Sequence, residues 1–195
     1  GNNNTADMKQ YTCDATINPG GDNTADIYQS GLSNTATLLQ EEDNINGMDY
    51  SDNVANAFQS GTNNSYDLTQ GSHNWTPNNF SYLTQSGSGN DAVVDQIGQT
   101  QYSEIRQTGD WNTADLDQTG QSGMGSSWDE SYSWQTGANN TLDISQDGNP
   151  GVELVESVQN GNSNTTNVTQ SSWQVQEVKS KQKGTNDIIN VTQIN

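Results

Sequence analysis

An all-β fold is predicted for this chain: a β-solenoid of about eight two-strand rungs (strand-arc-strand), stacked in parallel register as cross-β. Three observations predict it. A seven-residue phrase, Asn-x-Ala-x-Ile-x-Gln, recurs sixteen times and is usually followed by x-Gly-x-x-Asn. Its closing glutamines fall in pairs 11 residues apart: 29/40, 59/70, 85/96, 107/118, 135/146, 159/170 and 182/193. The steps between pairs vary, at 19, 15, 11, 17, 13 and 12 residues. A constant gap alternating with a variable one marks a two-strand unit that stacks on itself, with one connection fixed by geometry and the other free.

The kept residues sit at every second position, the period of a strand, so all four point to one face. Glycines two residues after the glutamine (Gly31, Gly61, Gly87, Gly109, Gly137, Gly161) supply turn angles that other residues resist. In order, the strands are expected at 4–10, 13–19, 23–29, 34–40, 53–59, 64–70, 79–85, 90–96, 101–107, 112–118, 129–135, 140–146, 153–159, 164–170, 176–182 and 187–193. Taken two by two from the first, they make eight rungs, a stack about 38 Å tall at the usual strand spacing.

In-register stacking turns each phrase position into a ladder. The second strands supply an aliphatic ladder of Ile17, Leu38, Leu68, Val94, Leu116, Ile144, Val168 and Val191. Beside it runs a small column of Ala15, Ala36, Ala92 and Ala114, enlarged to Tyr66, Leu142 and Ile189. First strands carry a glutamine ladder of Gln10, Gln29, Gln59, Gln85, Gln107, Gln135, Gln159 and Gln182. Second strands carry Gln40, Gln70, Gln96, Gln118, Gln146, Gln170 and Gln193, with Pro19 in place of the first member. A buried amide must find partners or cost about 1–3 kcal/mol, and stacked glutamines satisfy one another while penalising any slip in register. First strands change from Met8, Ile27, Ala57, Leu83 and Ile105 to Ser133, Ser157 and Ser180, so the core should thin towards the C-terminal rungs.

Composition limits the function. Only 28% of the 195 residues are hydrophobic, which alone would read as disorder, but disorder has no reason to hold one phase over the whole chain. A net charge of −19 excludes nucleic acid and anionic membrane surfaces as partners, since both need basic patches. No apolar run reaches the ~20 residues of a membrane span, so no membrane insertion is expected. The chain opens at Gly1 within the phrase and shows no signal peptide, as a processed chain would. Cys13 is the single cysteine and is expected to pack inward as a small apolar residue. His73, the single histidine, is expected in a variable loop with no triad partner. No metal-ligand spacing or phosphate-cradling motif occurs, so neither enzymatic activity nor a cofactor is expected.

The phrase Asn-x-Ala-x-Ile-x-Gln-x-Gly-x-x-Asn, as it runs from Asn23 to Asn34, resembles the curlin repeat. The resemblance covers nearly the whole chain, 1–195, read as a single repeat domain. It implies a secreted bacterial subunit that polymerises into an extracellular amyloid-like fibre of the biofilm matrix. Copies of the chain itself are then the main partners, with a nucleator subunit and an outer-membrane secretion pore as further ones.

The two outer faces differ. Second strands expose small polar and acidic residues such as Thr35, Asp67, Thr113, Asp115, Asp117 and Asp143, read as a solvated sheet face. First strands expose aromatics: Tyr28, Phe58, Tyr82, Tyr102, Tyr132 and Trp134. Such a row either stacks along its own ladder or contacts a neighbouring fibre or a polysaccharide. At the ends no cap is apparent, so both rungs read as open templates. Lys9, Lys179, Lys181 and Lys183 lie in the terminal rungs. A head-to-tail joint of Asp7 and Lys9 with Lys179 and Lys181, setting Lys179 level with Asp7, is expected. The rival reading is a discrete β-solenoid adhesin, or a carbohydrate or ice binder, that does not polymerise.

Overall fold

A computed structural model describes residues 3–11, 23–43, 52–73, 78–98, 100–120, 129–148, 152–172 and 175–194. These residues form fifteen strands: β1 Thr5–Tyr11, β2 Thr24–Leu32, β3 Thr35–Asp43, β4 Val54–Thr62, β5 Ser65–His73, β6 Phe80–Ser88, β7 Asp91–Ile97, β8 Gln101–Asp110, β9 Thr113–Gly120, β10 Asp129–Ala138, β11 Thr141–Gly148, β12 Glu153–Asn162, β13 Thr165–Ser172, β14 Gln176–Thr185 and β15 Ile188–Ile194. The odd-numbered phrase of each rung and the even one go to different sheets. One sheet has the order β1-β3-β5-β7-β9-β11-β13-β15, and the other β14-β12-β10-β8-β6-β4-β2. We call them the acidic and the aromatic sheet, after their outer faces; β8, β10, β12 and β14 belong to the aromatic one.

Every pairing is parallel, and equivalent phrase positions lie over one another without a slip, as in Leu38↔Leu68, Val94↔Leu116 and Gln107↔Gln135. The architecture is the β-solenoid expected. Alternating burial along the strands inside the stack follows from the period of two: β4 alternates from Val54 outward to Ala55 inward, and so to Gln59. The core between the sheets holds Leu38, Leu68, Val94, Leu116, Ile144 and Val168 from one side, and Ala57, Leu83, Ile105, Val155 and Val178 from the other.

Three expectations need correction. First, 4–10 is not a first strand. β1 pairs with β3, Thr5↔Thr35 through Gln10↔Gln40, and so belongs to the second-strand sheet. The reason is visible in the spacing: Gln10 stands 19 residues before Gln29, as Gln40 stands before Gln59, so that step is a between-rung step. The stack is therefore seven two-strand rungs plus β1, close to the eight expected, with Met8 rather than Ile17 at the head of the described aliphatic ladder. The expected strand 13–19, with Cys13, Ala15, Ile17 and Pro19, lies outside the described residues. Second, the core does not simply thin towards the C-terminal rungs. Ser133, Ser157 and Ser180 do replace apolar residues, but Val155 and Val178 fill the neighbouring column, where β6, β8 and β10 carry Ser81, Ser103 and Ser131. Apolar volume moves across the interior instead of leaving it. Third, His73 ends strand β5 and is not in a loop.

Candidate functional site: ladders, outer faces and sheet ends

The interior is organised by amides. On the acidic sheet, each glutamine Nε2 donates to the Oε1 of the next: Gln10 to Gln40, Gln40 to Gln70 and Gln70 to Gln96, each at 2.8 Å, continuing through Gln118, Gln146 and Gln170 to Gln193. On the aromatic sheet the ladder runs Gln29, Gln59, Gln85, Gln107, Gln135, Gln159, Gln182, at 2.8–2.9 Å. Gln10 thus sits in the second-strand ladder, not the first-strand one expected. It fills the place assigned to Pro19.

Stacking is only half of what these side chains do. The second Nε2 proton crosses to the other sheet: Gln85 donates to the carbonyl of Ser65 at 2.8 Å, Gln107 to Asp91 at 2.9 Å and Gln135 to Thr113 at 2.8 Å. The ladders therefore tie the sheets to each other as well as rung to rung. Gln40, Gln59, Gln70, Gln85, Gln96, Gln118, Gln146 and Gln170 are fully buried, so each such bond replaces water contacts that no longer exist.

An asparagine ladder runs beside them and was not singled out from the sequence, although the phrase opens on Asn. Asn34, Asn64, Asn90, Asn112, Asn140 and Asn164 are all buried. In each the Oδ1 accepts the main-chain N–H of its successor, as in Asn64 to Asn34 at 3.0 Å and Asn112 to Asn90 at 3.1 Å. The Nδ2 closes the arc, donating to Ser30 from Asn34 and to Ser60 from Asn64. The signal was the unbroken recurrence of Asn at the first position of the second strands from Asn34 to Asn164; its second use, as a clamp on the turn, needs the fold to be seen.

The outer faces follow from the same register. On the acidic sheet Asp115 lies over Asp143 and Asp95 over Asp117. Partial burial, then the neighbouring carboxylates, hold Asp67, Asp115 and Asp117 above the usual carboxylate range. On the aromatic sheet, the expected row breaks into two groups. Tyr28 and Phe58 are stacked, centroids 5.0 Å apart and 7° from parallel. Their column then continues through Thr84 and Arg106 before Trp134. Tyr102 reaches from a neighbouring column to Tyr82 at 5.7 Å and Tyr132 at 5.2 Å. Burial and the Glu104 carboxylate push its hydroxyl up to about 12. Arg106 pairs with Glu104 at 2.6 Å. Tyr28, Phe58, Tyr82, Tyr102 and Arg106, with Asp26, line a shallow groove of about 580 Å3.

At the sheet ends the expected joint is rearranged. Asp7 and Lys9 lie on β1 in the acidic sheet, whereas Lys179 and Lys181 lie on β14 in the aromatic sheet. Lys179 therefore cannot be level with Asp7 in a continued stack. Its own neighbours are Glu177, at 2.5 Å, and Glu156 one rung away. The strand in register with β1 at the far end of its sheet is β15. Following the ladder from Thr5↔Thr35 to Thr165↔Ile188 makes Asn190 the equivalent of Asp7, Thr192 of Lys9 and Gln193 of Gln10.

No curated protein and no solved structure matches the chain. Residues 77–98, which contain β6, its arc and β7, match the family model of the curlin associated repeat. That segment is one rung of the stack, and its phrase lies in register with that of its neighbours on both sheets.

Proposed function

We propose that the chain acts over residues 1–195 as one structural domain, a subunit of an extracellular curli-type fibre that grows head-to-tail for biofilm matrix or adhesion. The observation that carries this reading is the closure of the register. β1 and β15 are the outer strands of one sheet. Gln193 accepts from Gln170, and Gln10 donates to Gln40, so the Nε2 of Gln193 and the Oε1 of Gln10 are complementary. Stacking β15 of one copy on β1 of the next sets Gln193 over Gln10 and extends both the glutamine ladder and the main-chain hydrogen bonds. The role is structural, not catalytic. A secretion pore and a nucleator subunit enter through the family resemblance. The groove on the aromatic sheet, with exposed rings beside Asp26, Asn56 and Arg106, supports contact with matrix polysaccharide as a second use of the same fibre.

The joint is tested by elongation kinetics. The chain is expected to assemble after a lag that added seeds abolish. Asn190→Asp places a carboxylate over Asp7 and is expected to slow seeded elongation about three- to tenfold at low salt, with the difference lost near ~0.5 M salt. A monodisperse species that persists for days overturns the fibre reading in favour of a discrete solenoid adhesin. Elongation that ignores Asn190→Asp at low salt overturns the joint.

A further inference from the structure

The two sheets differ in size: eight strands face seven, so the acidic sheet projects at both ends. The projection is half a level. Gln40 Nε2 donates to the Thr24 carbonyl at the start of β2 and to the Asn53 carbonyl ahead of β4, at 3.2 and 3.1 Å, so β3 lies midway in height between them. By the same register β1 stands half a strand spacing, about 2.4 Å, beyond β2. The two strands run in opposite directions, since Gln10 reaches the Asn23 carbonyl and Gln29 that of Thr5. Among the described residues no strand lies beyond either in its sheet. Every residue of β1 is exposed, the inward-facing Met8 included.

Such an end is complementary to a second copy of itself. Turning one copy by 180° about an axis parallel to the strands, midway between the sheets, brings the projecting β1 of each against the recessed β2 of the other. The two half-level steps add to one full spacing in both columns at once. Both contacts are antiparallel. Thr5 donates to the Asn34 carbonyl and Thr24 to that of Asn53, so Thr5, Asp7 and Lys9, like Thr24, Asp26 and Tyr28, turn their main-chain groups into the stack. The alternate residues, Ala6, Met8 and Gln10 and Ala25, Ile27 and Gln29, turn theirs to the open edge. Pairing Met8 with Ile27 of the other copy then sets Ala6 against Gln29 and Gln10 against Ala25, three hydrogen-bonded pairs whose side chains face the interior.

The same register places Lys9 opposite the other copy's Asp26 on the solvent side. Within one copy Lys9 sits 4.0 Å from Asp7, and Asp26 lies on the outer face of the other sheet. A slip of two residues in one direction would oppose Asp7 to Asp26, which the charges resist. The far end lacks this match, because β15 carries no acid to meet Lys179, Lys181 and Lys183 of β14. We infer that β1 and β2 form a self-complementary joint through which two copies pair head to head. The joined face measures about 23 Å along seven residues and about 20 Å across two sheets, burying roughly 900 Å2 in total, the lower end for a specific complex. The amide ladders stop at this joint, since Gln10 and Gln29 both spend their Nε2 on the stack and present Oε1 to the partner. The dimer is therefore weaker than a rung and reversible. It covers β1, the strand on which head-to-tail growth builds, and so withholds chain from elongation. The inference does not rest on the fibre reading, because a chain that never elongates can still pair in this way.

Sedimentation of the full chain, free of seeds and before any lag has elapsed, reads the dimer. The unsubstituted chain is expected to pass from monomer to dimer between about 1 and 100 µM at low salt. Lys9→Glu alone and Asp26→Lys alone each oppose like charges at both contacts, and each is expected to weaken dimerisation about tenfold. An equimolar mixture of the two variants is expected to dimerise within about threefold of the unsubstituted chain, because the substituted positions then meet each other with opposite charge and the native pair meets at the second contact. Misfolding of either variant would not be repaired by mixing. A chain still monomeric at about 100 µM, single variants that dimerise as the unsubstituted chain does, or a mixture no tighter than its components overturns the inference. Seeded fibre growth is scored separately and bears on the joint of β15 with β1 alone.

Discussion

Each interior glutamine works along two axes. Gln107 accepts from Gln85, donates to Gln135, and also donates across the interior to the carbonyls of Asp91 and Asn112. Truncating it removes both kinds of contact and leaves a cavity in a column where nothing can slide in to fill it. Gln107→Ala is expected to destabilise the chain by about 2–4 kcal/mol, read as the shift in denaturant midpoint. The sequence gives the stacked half of this role, since only a repeated amide at one phase explains fifteen glutamines in step. The cross-sheet half was not legible, because it depends on how far apart the two sheets lie. Tyr66 makes the same point. It enlarges a column of alanines, and its space comes from the opposite sheet, where Ser81 is small and hydrogen-bonds its hydroxyl at 2.7 Å. Burial raises that phenol well above its ordinary value, so it stays neutral.

At the scale of the element, the arcs set the geometry of every rung. Gly61 has φ of +108°, and a Cβ built there would stand 2.0 Å from the carbonyl oxygen of Gly87 on the next rung. Two costs coincide: a conformation that L-residues resist, and a backbone neighbour that cannot move without breaking the ladder. Gly61→Ala is expected to destabilise by about 3 kcal/mol or more, seen as loss of cooperative unfolding or a lowered midpoint, with nearby β4 and β6 losing exchange protection first. Two residues further on, each arc again turns left-handed, at Asn63, Trp111 and Asn139 among others. Strand positions were readable from the period of two and from these turn glycines. The sheet to which β1 belongs was misread because pairing the phrases from the N-terminus ignores the 19-residue step that marks a change of rung. A loop length carries that information, and side-chain pattern does not.

At the scale of the molecule, parallel register makes every unlike or like pair repeat. A net charge of −19 is tolerable on the outer faces only because water and salt screen it. Asp95, Asp115, Asp117 and Asp143 nonetheless crowd one patch of the acidic sheet. Burial and mutual repulsion raise Asp115 and Asp117 above their unfolded values, so the protonated form is favoured in the stack. Their contribution is present at acid pH and is lost as pH rises through the carboxylate range. Asp115→Asn, Asp117→Asn together are expected to raise stability at neutral pH by about 0.5–1 kcal/mol, the range for opposed like charges on an exposed sheet, and to leave it nearly unchanged near pH 3. Unfolding midpoints at the two pH values decide this. Added salt is expected to shrink the difference.

By itself the sequence determined the fold class, the strand phase, the inward ladders and the resemblance to curlin repeats. All of these follow from a strand's fixed period of two and from the demand that buried amides find partners. Only the tertiary structure decided which sheet each terminal strand joins and which residues meet across the interior. Those are facts of distance between segments far apart in the chain, and local pattern holds no measure of it.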